Sequence, residues 1–134
     1  PNGSGAGICG WYKNWFFRSL NELSYMIFVI ERFNIQWKSA ESKEYSIKYL
    51  DENNQERNYF ADFILNNKYL IEIKPKALQK TIRNKIKFEF AKKNSKYIFK
   101  TTYCRKLITK LELNNLILNG EVKLTEKWKK KLEK

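Results

Sequence analysis

Apolar residues recur at intervals of three and four in two parts of the chain, which is the spacing of a helix with one buried face. The first series predicts a helix of about 15 residues that follows Ser19, with apolar positions at Leu23, Met26, Ile27 and Ile30. Ser19 and Glu22 also have the spacing of a helix N-cap and its third residue. The second series predicts a helix over residues 79–93, with Ile82, Ile86 and Phe90 on its buried side.

Alternating or continuous apolar runs predict four strands between and after these helices. The strands are predicted around Tyr45–Tyr49 and over residues 57–65, 68–74 and 97–100, with turns at 51–54 and at Asn66-Asn67. Residues 105–118 are predicted to be helical or mixed, and residues 124–134 to form a short basic helix. The order α-β-β-β-α-β-α predicts an α/β protein with a small mixed sheet flanked by helices.

The length of 134 residues fits one domain. We expect a flexible Gly/Ser-rich lead-in over residues 1–10 and a single domain over 11–134. Because the chain begins without Met, we also expect it to belong to a larger parent protein. The lead-in has no signal-peptide pattern and no run of residues is apolar enough to span a bilayer. These features predict a soluble, cytoplasmic protein with no membrane partner.

The charge is concentrated in the second half of the chain. Residues 1–72 carry 8 Lys+Arg and 9 Asp+Glu, a net charge of −1, whereas residues 73–134 carry 19 and 5, a net charge of +14. Such asymmetry favours a polyanionic partner, most often nucleic acid. A solvated Lys-rich surface is the alternative interpretation.

The residue types exclude several kinds of catalyst. The chain has no histidine, which excludes imidazole general bases, His-containing zinc sites and Ser-His-Asp triads. Cys9 and Cys104 alone make neither a zinc site nor a disulfide framework. We interpret them as reduced, intracellular thiols without a special role.

Charged residues interrupt the apolar run over residues 59–74. On the strand predicted for 68–74, Glu72 and Lys74 share one face, because successive side chains alternate. Charges inside an apolar strand need partners. The alternative is an exposed pair on an amphipathic sheet, or, for Asp62, a turn residue at a strand end.

The position of Asp62 relative to Glu72 depends on the turn between the two strands. A two-residue turn at Asn66-Asn67 pairs Asp62 with Ile71 and places it on the face opposite to Glu72. A three-residue loop that includes Lys68 sets Asp62 directly opposite Glu72, and asparagine tolerates either geometry. We predict the three-residue loop, because only that register gives the two carboxylates a shared ligand.

Two close carboxylates and a lysine suit Mg²⁺, for which Mn²⁺ often substitutes, because hard divalent cations prefer oxygen ligands and use few protein carboxylates. Lys74 is predicted to hold or deprotonate the attacking water, or to neutralise charge that develops on a phosphate. Glu22 is a candidate further carboxylate ligand. Its alternative role is purely structural, as the partner of Ser19 in a capping box.

The spacing of Asp62, Glu72 and Lys74 resembles the active-site signature of the PD-(D/E)XK nuclease superfamily. The segment Phe17-Arg18-Ser19-Leu20-Asn21-Glu22 resembles the motif that supplies an additional helical Glu in phage-type members, among them the endonuclease I junction resolvases of T7-like phages and short intron-associated homing endonucleases. The resemblance covers residues 16–102. It implies a restriction-endonuclease-like core, Mg²⁺-dependent phosphodiester hydrolysis, metal ligands at Glu22, Asp62 and Glu72, and a catalytic Lys74. Ala61 departs from the proline that is usual in the family.

Basic and aromatic residues outside this constellation also have two interpretations each. Lys76, Lys80, Arg83 and Lys87 recur at intervals of three and four and are predicted to form one DNA-binding stripe on the second helix, with Lys87 near the site. The alternative is a solvated helix face. The aromatic cluster over residues 11–17 is interpreted as core or dimer contact, with a base-stacking platform as the alternative. The lysines at 127–131 are expected to contact the DNA backbone or to form an exposed tail.

The favoured hypothesis is a metal-dependent DNA endonuclease of phage or mobile-element origin, acting in a bacterial or phage-infected cell on double-stranded or branched DNA. Because cutting both strands needs two active sites, a homodimer is expected. The alternatives are a structure-selective Holliday junction resolvase and a non-catalytic basic nucleic-acid-binding module on the same fold.

Overall fold

The computed structural model describes residues 7–133, which form short strands and helices throughout. The strands are β1 (Gly10–Tyr12), β2 (Trp15–Phe17), β3 (Trp37–Ser39), β4 (Ile47–Leu50), β5 (Glu56–Tyr59), β6 (Phe63–Leu65), β7 (Tyr69–Ile73), β8 (Ile98–Thr102) and β9 (Val122–Leu124). The helices are α1 (Leu20–Tyr25), α2 (Lys76–Gln79), α3 (Ile82–Asn94), α4 (Lys110–Leu118) and α5 (Glu126–Leu132). A π-helical segment (Met26–Glu31) continues α1, and a 3-10 turn (Lys43–Tyr45) precedes β4. The protein is therefore mixed α/β, as predicted.

The chain forms two compact units. The first comprises Pro1–Val29 and Cys104–Lys134, as far as these are described, and the second comprises Ile30–Tyr103. Within the first unit, β1 is the central strand of a three-stranded antiparallel sheet with the order β2-β1-β9.

The second unit contains a four-stranded mixed sheet with the order β3-β6-β7-β8 and a separate hairpin, β4-β5. β7 runs antiparallel to β6 and parallel to β8, and α2 and α3 lie in the crossover that a parallel pair requires. One face of β7, the helix α3 and the β4-β5 hairpin enclose an aromatic core. This core includes Tyr59, Leu70, Phe88 and Phe99. This core surrounds the position of Glu72.

The predicted first helix is confirmed at its start. Ser19 is the N-cap of α1, and its Oγ accepts a hydrogen bond from the backbone N–H of Glu22 at 3.1 Å. The helix is shorter than expected, because six α-helical residues are followed by six in the wider π-helical geometry, which ends at Glu31. The buried positions include Leu23, Met26 and Ile30.

One strand prediction and one helix prediction need correction. The strand expected over residues 57–65 is two strands, β5 and β6, in different sheets, separated by a break at 60–62. The helix expected over residues 79–93 begins at Ile82, because Thr81 is its N-cap and accepts a hydrogen bond from the N–H of Asn84. Ile82, expected on the buried side of this helix, is instead 73% exposed. Ile86 and Phe90 do pack against the core.

The two ends of the chain also differ from expectation. Of the lead-in predicted over residues 1–10, residues 1–6 lie outside the described part, and Gly10 already pairs with Phe17 and Leu124 as part of β1. Residues 105–118 are mixed. Within them α4 begins at a capping box, which Thr109 forms with Glu112 in the first turn of the helix. The C-terminal helix is confirmed as α5; Lys134 lies outside the described residues.

Candidate active site

The turn between β6 and β7 fixes which residues of the two strands pair, and so where Asp62 lies along β7. Asn66 and Asn67 both have left-handed backbone conformations, with φ of 53° and 54°, and the N–H of Lys68 closes the turn by donating to the carbonyl of Leu65 at 2.9 Å. Leu65 nevertheless pairs with Tyr69, so that Lys68 is an additional residue in the loop. The predicted three-residue register is therefore confirmed over β6, and the pairing of the two strands ends at Phe63 and Ile71, next to Asp62.

Asp62 occupies a bend at the start of β6 and is anchored to β7. Its carboxylate oxygen Oδ2 accepts a hydrogen bond from the backbone N–H of Ile73 at 2.6 Å, and its own N–H donates to the carbonyl of Ile71 at 3.0 Å. Its carbonyl accepts from the N–H of Ala40 at 3.1 Å. These three bonds hold a half-buried carboxylate against the end of β7 where Glu72 lies.

Glu72 is a buried carboxylate with a partner on each oxygen. Its side chain is on the same face of β7 as Leu70, toward the aromatic core. Oε1 accepts a short hydrogen bond from the hydroxyl of Tyr59, and Oε2 lies 3.7 Å from Nζ of Lys74. The predicted sharing of one strand face by Glu72 and Lys74 is confirmed by this ion pair.

Burial and these partners have opposite effects on the ionisation of Glu72. Burial raises the pKa of the Glu72 carboxyl, because the charged form is poorly solvated. The Tyr59 hydrogen bond, followed by the positive charges of Lys74 and Lys87, acts to lower that pKa. Without these three groups an isolated buried carboxylate would be protonated or strongly destabilising.

Lys87 is the one member of the predicted basic stripe that lies at this cluster. Its Nζ is 5.3 Å from the centre of the Tyr59 ring, within the range of a cation–π contact. Burial lowers the pKa of Lys87, and the repulsion of Lys74 lowers it further, whereas the charges of Glu72 and Asp62 raise it. The lysine therefore lies in a half-buried position close to both carboxylates.

An aromatic cluster fixes Tyr59 and Lys87 in place. The ring centres of Tyr59, Phe88 and Phe99 are 5.6 to 6.0 Å apart, in tilted and edge-on arrangements typical of packed aromatic side chains. Phe88 follows Lys87 on α3, and Phe99 belongs to β8. The rings thus connect the helix and two strands around the Tyr59 hydroxyl.

The other three residues of the predicted stripe are not part of a single helical face. Lys76 belongs to α2, Lys80 ends it, and Arg83 lies in α3 beyond the break at Thr81. All three are exposed, and Arg83 lines a small depression with Tyr49, Asp51, Glu52 and Arg57. The prediction of one continuous stripe is wrong, since local hydrogen bonds at Thr81 and Asn84 end one helix and begin another.

Glu22 lies in the first unit and has a structural role there. Its carboxylate accepts hydrogen bonds from the backbone N–H of Arg18 at 3.3 Å and from the hydroxyl of Ser19 at 3.4 Å. These contacts close the first turn of α1 in the manner of a capping box. Its further role as a metal ligand stays a prediction.

Carboxylate oxygens such as those of Asp62 and Glu72 are the ligand type that hard divalent cations prefer. Among residues 7–133, no group of three or more His, Cys, Asp and Glu side chains is arranged to hold a metal ion. A site made by these two carboxylates would therefore be completed by water and by phosphate oxygens of a substrate, which is common for Mg²⁺. Each carboxylate oxygen that already accepts one hydrogen bond keeps a second lone pair for such a cation.

Tyr59 is the residue of this cluster that sequence reasoning did not select. It belongs to β5, which pairs with β4 and not with the strands that carry Asp62 and Glu72. A signal was nevertheless present, because a carboxylate in an apolar strand needs a donor and Tyr59 is a hydroxyl donor near Asp62 in the same apolar run.

No protein-family model, curated protein or solved structure matches this chain significantly. None of the helices formed by residues 7–133 has the length and apolar composition needed to cross a bilayer.

Proposed function

We propose that this protein is a metal-dependent DNA endonuclease that hydrolyses phosphodiester bonds, with a restriction-endonuclease-like core of the PD-(D/E)XK type. The observation that carries the proposal is the register of the β6-β7 hairpin, which leads to an Asp62 carboxylate bonded to the N–H of Ile73, next to the Glu72–Lys74 ion pair. The excess of positive charge in residues 73–134 supports a polyanionic substrate.

In this proposal the two carboxylates hold the cation and the lysines manage charge. Asp62 and Glu72 would bind Mg²⁺ or Mn²⁺, which when bound supplies Lewis-acid activation of water and of the phosphate. Lys74 lies at the surface edge of the cluster, where its side chain is 28% exposed. It orients the attacking water and offsets negative charge on the non-bridging oxygens.

Tyr59 and Lys87 prepare Glu72 for this role. Hydrolysis adds a water oxygen to phosphorus and breaks the bond to the leaving oxygen, so negative charge accumulates at the site. Tyr59 donates to the Glu72 oxygen that does not face Lys74, which restrains the carboxylate in one orientation. Lys87 adds a second positive charge, which acts to lower the pKa of Glu72 against the larger effect of burial.

A second candidate function is a non-catalytic nucleic-acid-binding module. It is favoured by the fact that both oxygens of Glu72 already have partners, since such a network also serves to make a buried charge tolerable. In that case the cluster holds β5 against β7, and DNA binding depends on the exposed lysines alone.

Cleavage assays separate these functions. The full chain is incubated with linear duplex, supercoiled plasmid and a four-way junction, with Mg²⁺ or with EDTA. We expect cleavage of at least one of these DNAs with Mg²⁺ and none with EDTA. Preference for the junction would identify a resolvase, and cleavage of duplex at few sites a homing-type enzyme. Binding of all three DNAs without cleavage in Mg²⁺ or Mn²⁺ would overturn the proposal in favour of the binding module.

A further inference from the structure

The three-stranded sheet of the first unit has one buried face and one face that carries aromatic and basic side chains to solvent. Alternate residues of its strands are buried, namely Gly10, Tyr12, Trp15, Phe17, Val122 and Leu124. The residues between them are the exposed Trp11 and Lys123 and the half-buried Phe16. The period of two therefore separates the core face from the solvent face in all three strands.

Trp11, Phe16 and Lys123 form a row across this solvent face. Trp11 pairs directly with Phe16 on β2 and with Lys123 on β9, and directly opposed residues point to the same side of a sheet. The rings of Trp11 and Phe16 are 5.2 Å apart at their centres, and the guanidinium of Arg18 lies 5.1 Å from the centre of the Phe16 ring. Two adjoining aromatic rings are thus flanked by a cation at each end.

A depression of about 410 Å³ adjoins Trp11 on this face. Its lining consists of Trp11, Lys13, Asn14, Gly120, Glu121 and Lys123. Lys123, the cross-strand neighbour of Trp11, and Lys13 in the same lining provide positive charge for phosphates. Glu121 disfavours a phosphate at its own position, but its carboxylate can accept a hydrogen bond from an N–H group of a base.

Trp11 is 42% exposed next to the half-buried Phe16, so that together they offer an aromatic surface to a ligand with a flat apolar face. Aromatic side chains on a sheet, with basic residues beside them, are suited to stacking unpaired bases while the cations follow the backbone. We propose that this face binds single-stranded nucleic acid, with an unpaired base stacked on Trp11 and adjacent phosphates near Arg18 and Lys123.

Charge disfavours a second copy of the chain as the occupant of this face. A two-fold symmetric contact brings the same patch of both copies together, so that Arg18 and Lys123 would face like charges. A nucleic acid with a base stacked on Trp11 instead brings phosphates, whose negative charge complements the positive charge of Arg18 and Lys123. The proposed site belongs entirely to the first unit and does not depend on Asp62, Glu72 or Lys74.

Fluorescence anisotropy with the full chain in EDTA tests this proposal. The probes are a short labelled oligodeoxythymidylate, the matching oligouridylate, and an abasic strand with the same number of phosphates. We expect Trp11→Leu to weaken binding of a base-containing strand roughly ten-fold or more, and Trp11→Phe to retain most of the affinity. The two base-containing probes show whether DNA or RNA is preferred, and tight binding of either one supports the proposal.

Phe33→Leu is the matched control. Phe33 is also an exposed aromatic residue beside an arginine, with its ring centre 5.9 Å from the guanidinium of Arg32, but it lies outside the sheet. We expect Phe33→Leu to bind as the wild type does. Lys123→Gln should reduce the slope of log affinity against log salt by about 0.7, the value for one lost phosphate contact on a single strand.

Equal affinity for the abasic and base-containing strands would overturn the proposal, as would unchanged binding in Trp11→Leu. A dimer in sedimentation that Trp11→Leu dissociates would overturn it too, because the face would then be an interface between copies. These outcomes leave the proposed nuclease function untouched, since that function is measured as Mg²⁺-dependent cleavage.

Discussion

The hydroxyl of Tyr59 donates a hydrogen bond to Oε1 of Glu72, and so connects two strands that belong to different sheets. Tyr59 is on β5 of the small hairpin, and Glu72 is on β7 of the four-stranded sheet. Both side chains are buried, at 5% and 6% exposure, so that the carboxylate depends on the protein for its hydrogen bonds. This contact makes Tyr59 a positioning residue for the proposed site.

Replacing Tyr59 by Phe should shift the pH dependence of cleavage. The Tyr59 hydrogen bond lowers the pKa of Glu72, which burial raises, so its removal lets that pKa rise further. Because cleavage needs the ionised carboxylate, the acidic limb of the profile of cleavage rate against pH should move to higher pH, with a smaller loss of rate at alkaline pH. The measurement is the single-turnover cleavage rate over a series of pH values.

Tyr69→Phe is the control for this shift. Tyr69 lies on the same strand as Glu72, but it is an odd number of residues away and therefore faces the other side of the sheet. Its profile should coincide with that of the wild type. An unshifted acidic limb in Tyr59→Phe, at unchanged folding, would show that Tyr59 does not act through Glu72.

Asp62→Asn should abolish cleavage while DNA binding is kept. The amide oxygen can still accept the hydrogen bond from Ile73 N–H, so the bend at the start of β6 is preserved while the negative charge is lost. We expect the cleavage rate to fall by about 10²-fold or more. Each factor of ten in this rate corresponds to about 1.36 kcal/mol of lost transition-state stabilisation. Glu56→Gln, an exposed carboxylate on β5, should cleave normally. Parallel loss of binding and cleavage in Asp62→Asn would instead indicate a structural role.

Substitution of Lys87 should change the cleavage rate, whereas substitution of the exposed lysines should change the affinity for DNA. Lys87→Met removes a half-buried charge next to Glu72, and we expect a cleavage rate lowered about ten-fold or more, the order of a lost electrostatic contribution. The double variant Lys76→Gln/Lys80→Gln should weaken DNA binding, with the slope of log affinity against log salt reduced by up to about 0.9 per lysine, and should cleave at the normal rate when DNA is saturating. If Lys87→Met changes only affinity, Lys87 is a backbone contact like the others.

The hairpin β4-β5 contains an ion pair whose contribution to stability should depend on pH. Asp51 accepts hydrogen bonds from Arg57 at 2.6 Å and from the backbone N–H of Asn53 and Gln55, and these lower the pKa of Asp51 below its usual 3.8. A lowered folded-state pKa stabilises the fold above the ordinary value, and this contribution is lost as the pH falls through the lowered one. Asp51→Asn should therefore reduce the Tm at pH 7, and the difference from the wild type should narrow as the pH falls below about 3.8.

Thermal unfolding followed by circular dichroism measures this difference. Lys48→Gln is the control, because Lys48 and Glu56 form a pair in the same hairpin in which both side chains are mostly exposed, at 71% and 68%. Exposed ion pairs contribute little to stability, so the Tm of Lys48→Gln should match that of the wild type at pH 7 and at about pH 3. A Tm difference for Asp51→Asn that stays constant down to pH 3 would contradict the role assigned to the Asp51 charge.

Local signals in the sequence were sufficient for several parts of the fold. Ser19 caps α1 because its hydroxyl and the N–H of Glu22 are only three residues apart. The side-chain alternation of a strand places Glu72 and Lys74 on one face without knowledge of the neighbours. The requirement for a shared ligand predicts the three-residue loop, and the structure has that register, with Lys68 as the additional loop residue.

Contacts between distant parts of the chain were decided only by the tertiary structure. The strands β1, β2, β3 and β9 have three residues each, too few to be recognised from the sequence pattern alone, and their pairing depends on partners such as Lys123, which lies far from Trp11 in sequence. Likewise, the sequence determined that a carboxylate, a lysine and an apolar strand occur together at residues 69–74. That Tyr59 supplies the hydrogen bond to Glu72 follows from the packing of β5 and α3, because strand periodicity specifies a face and never the element that covers it.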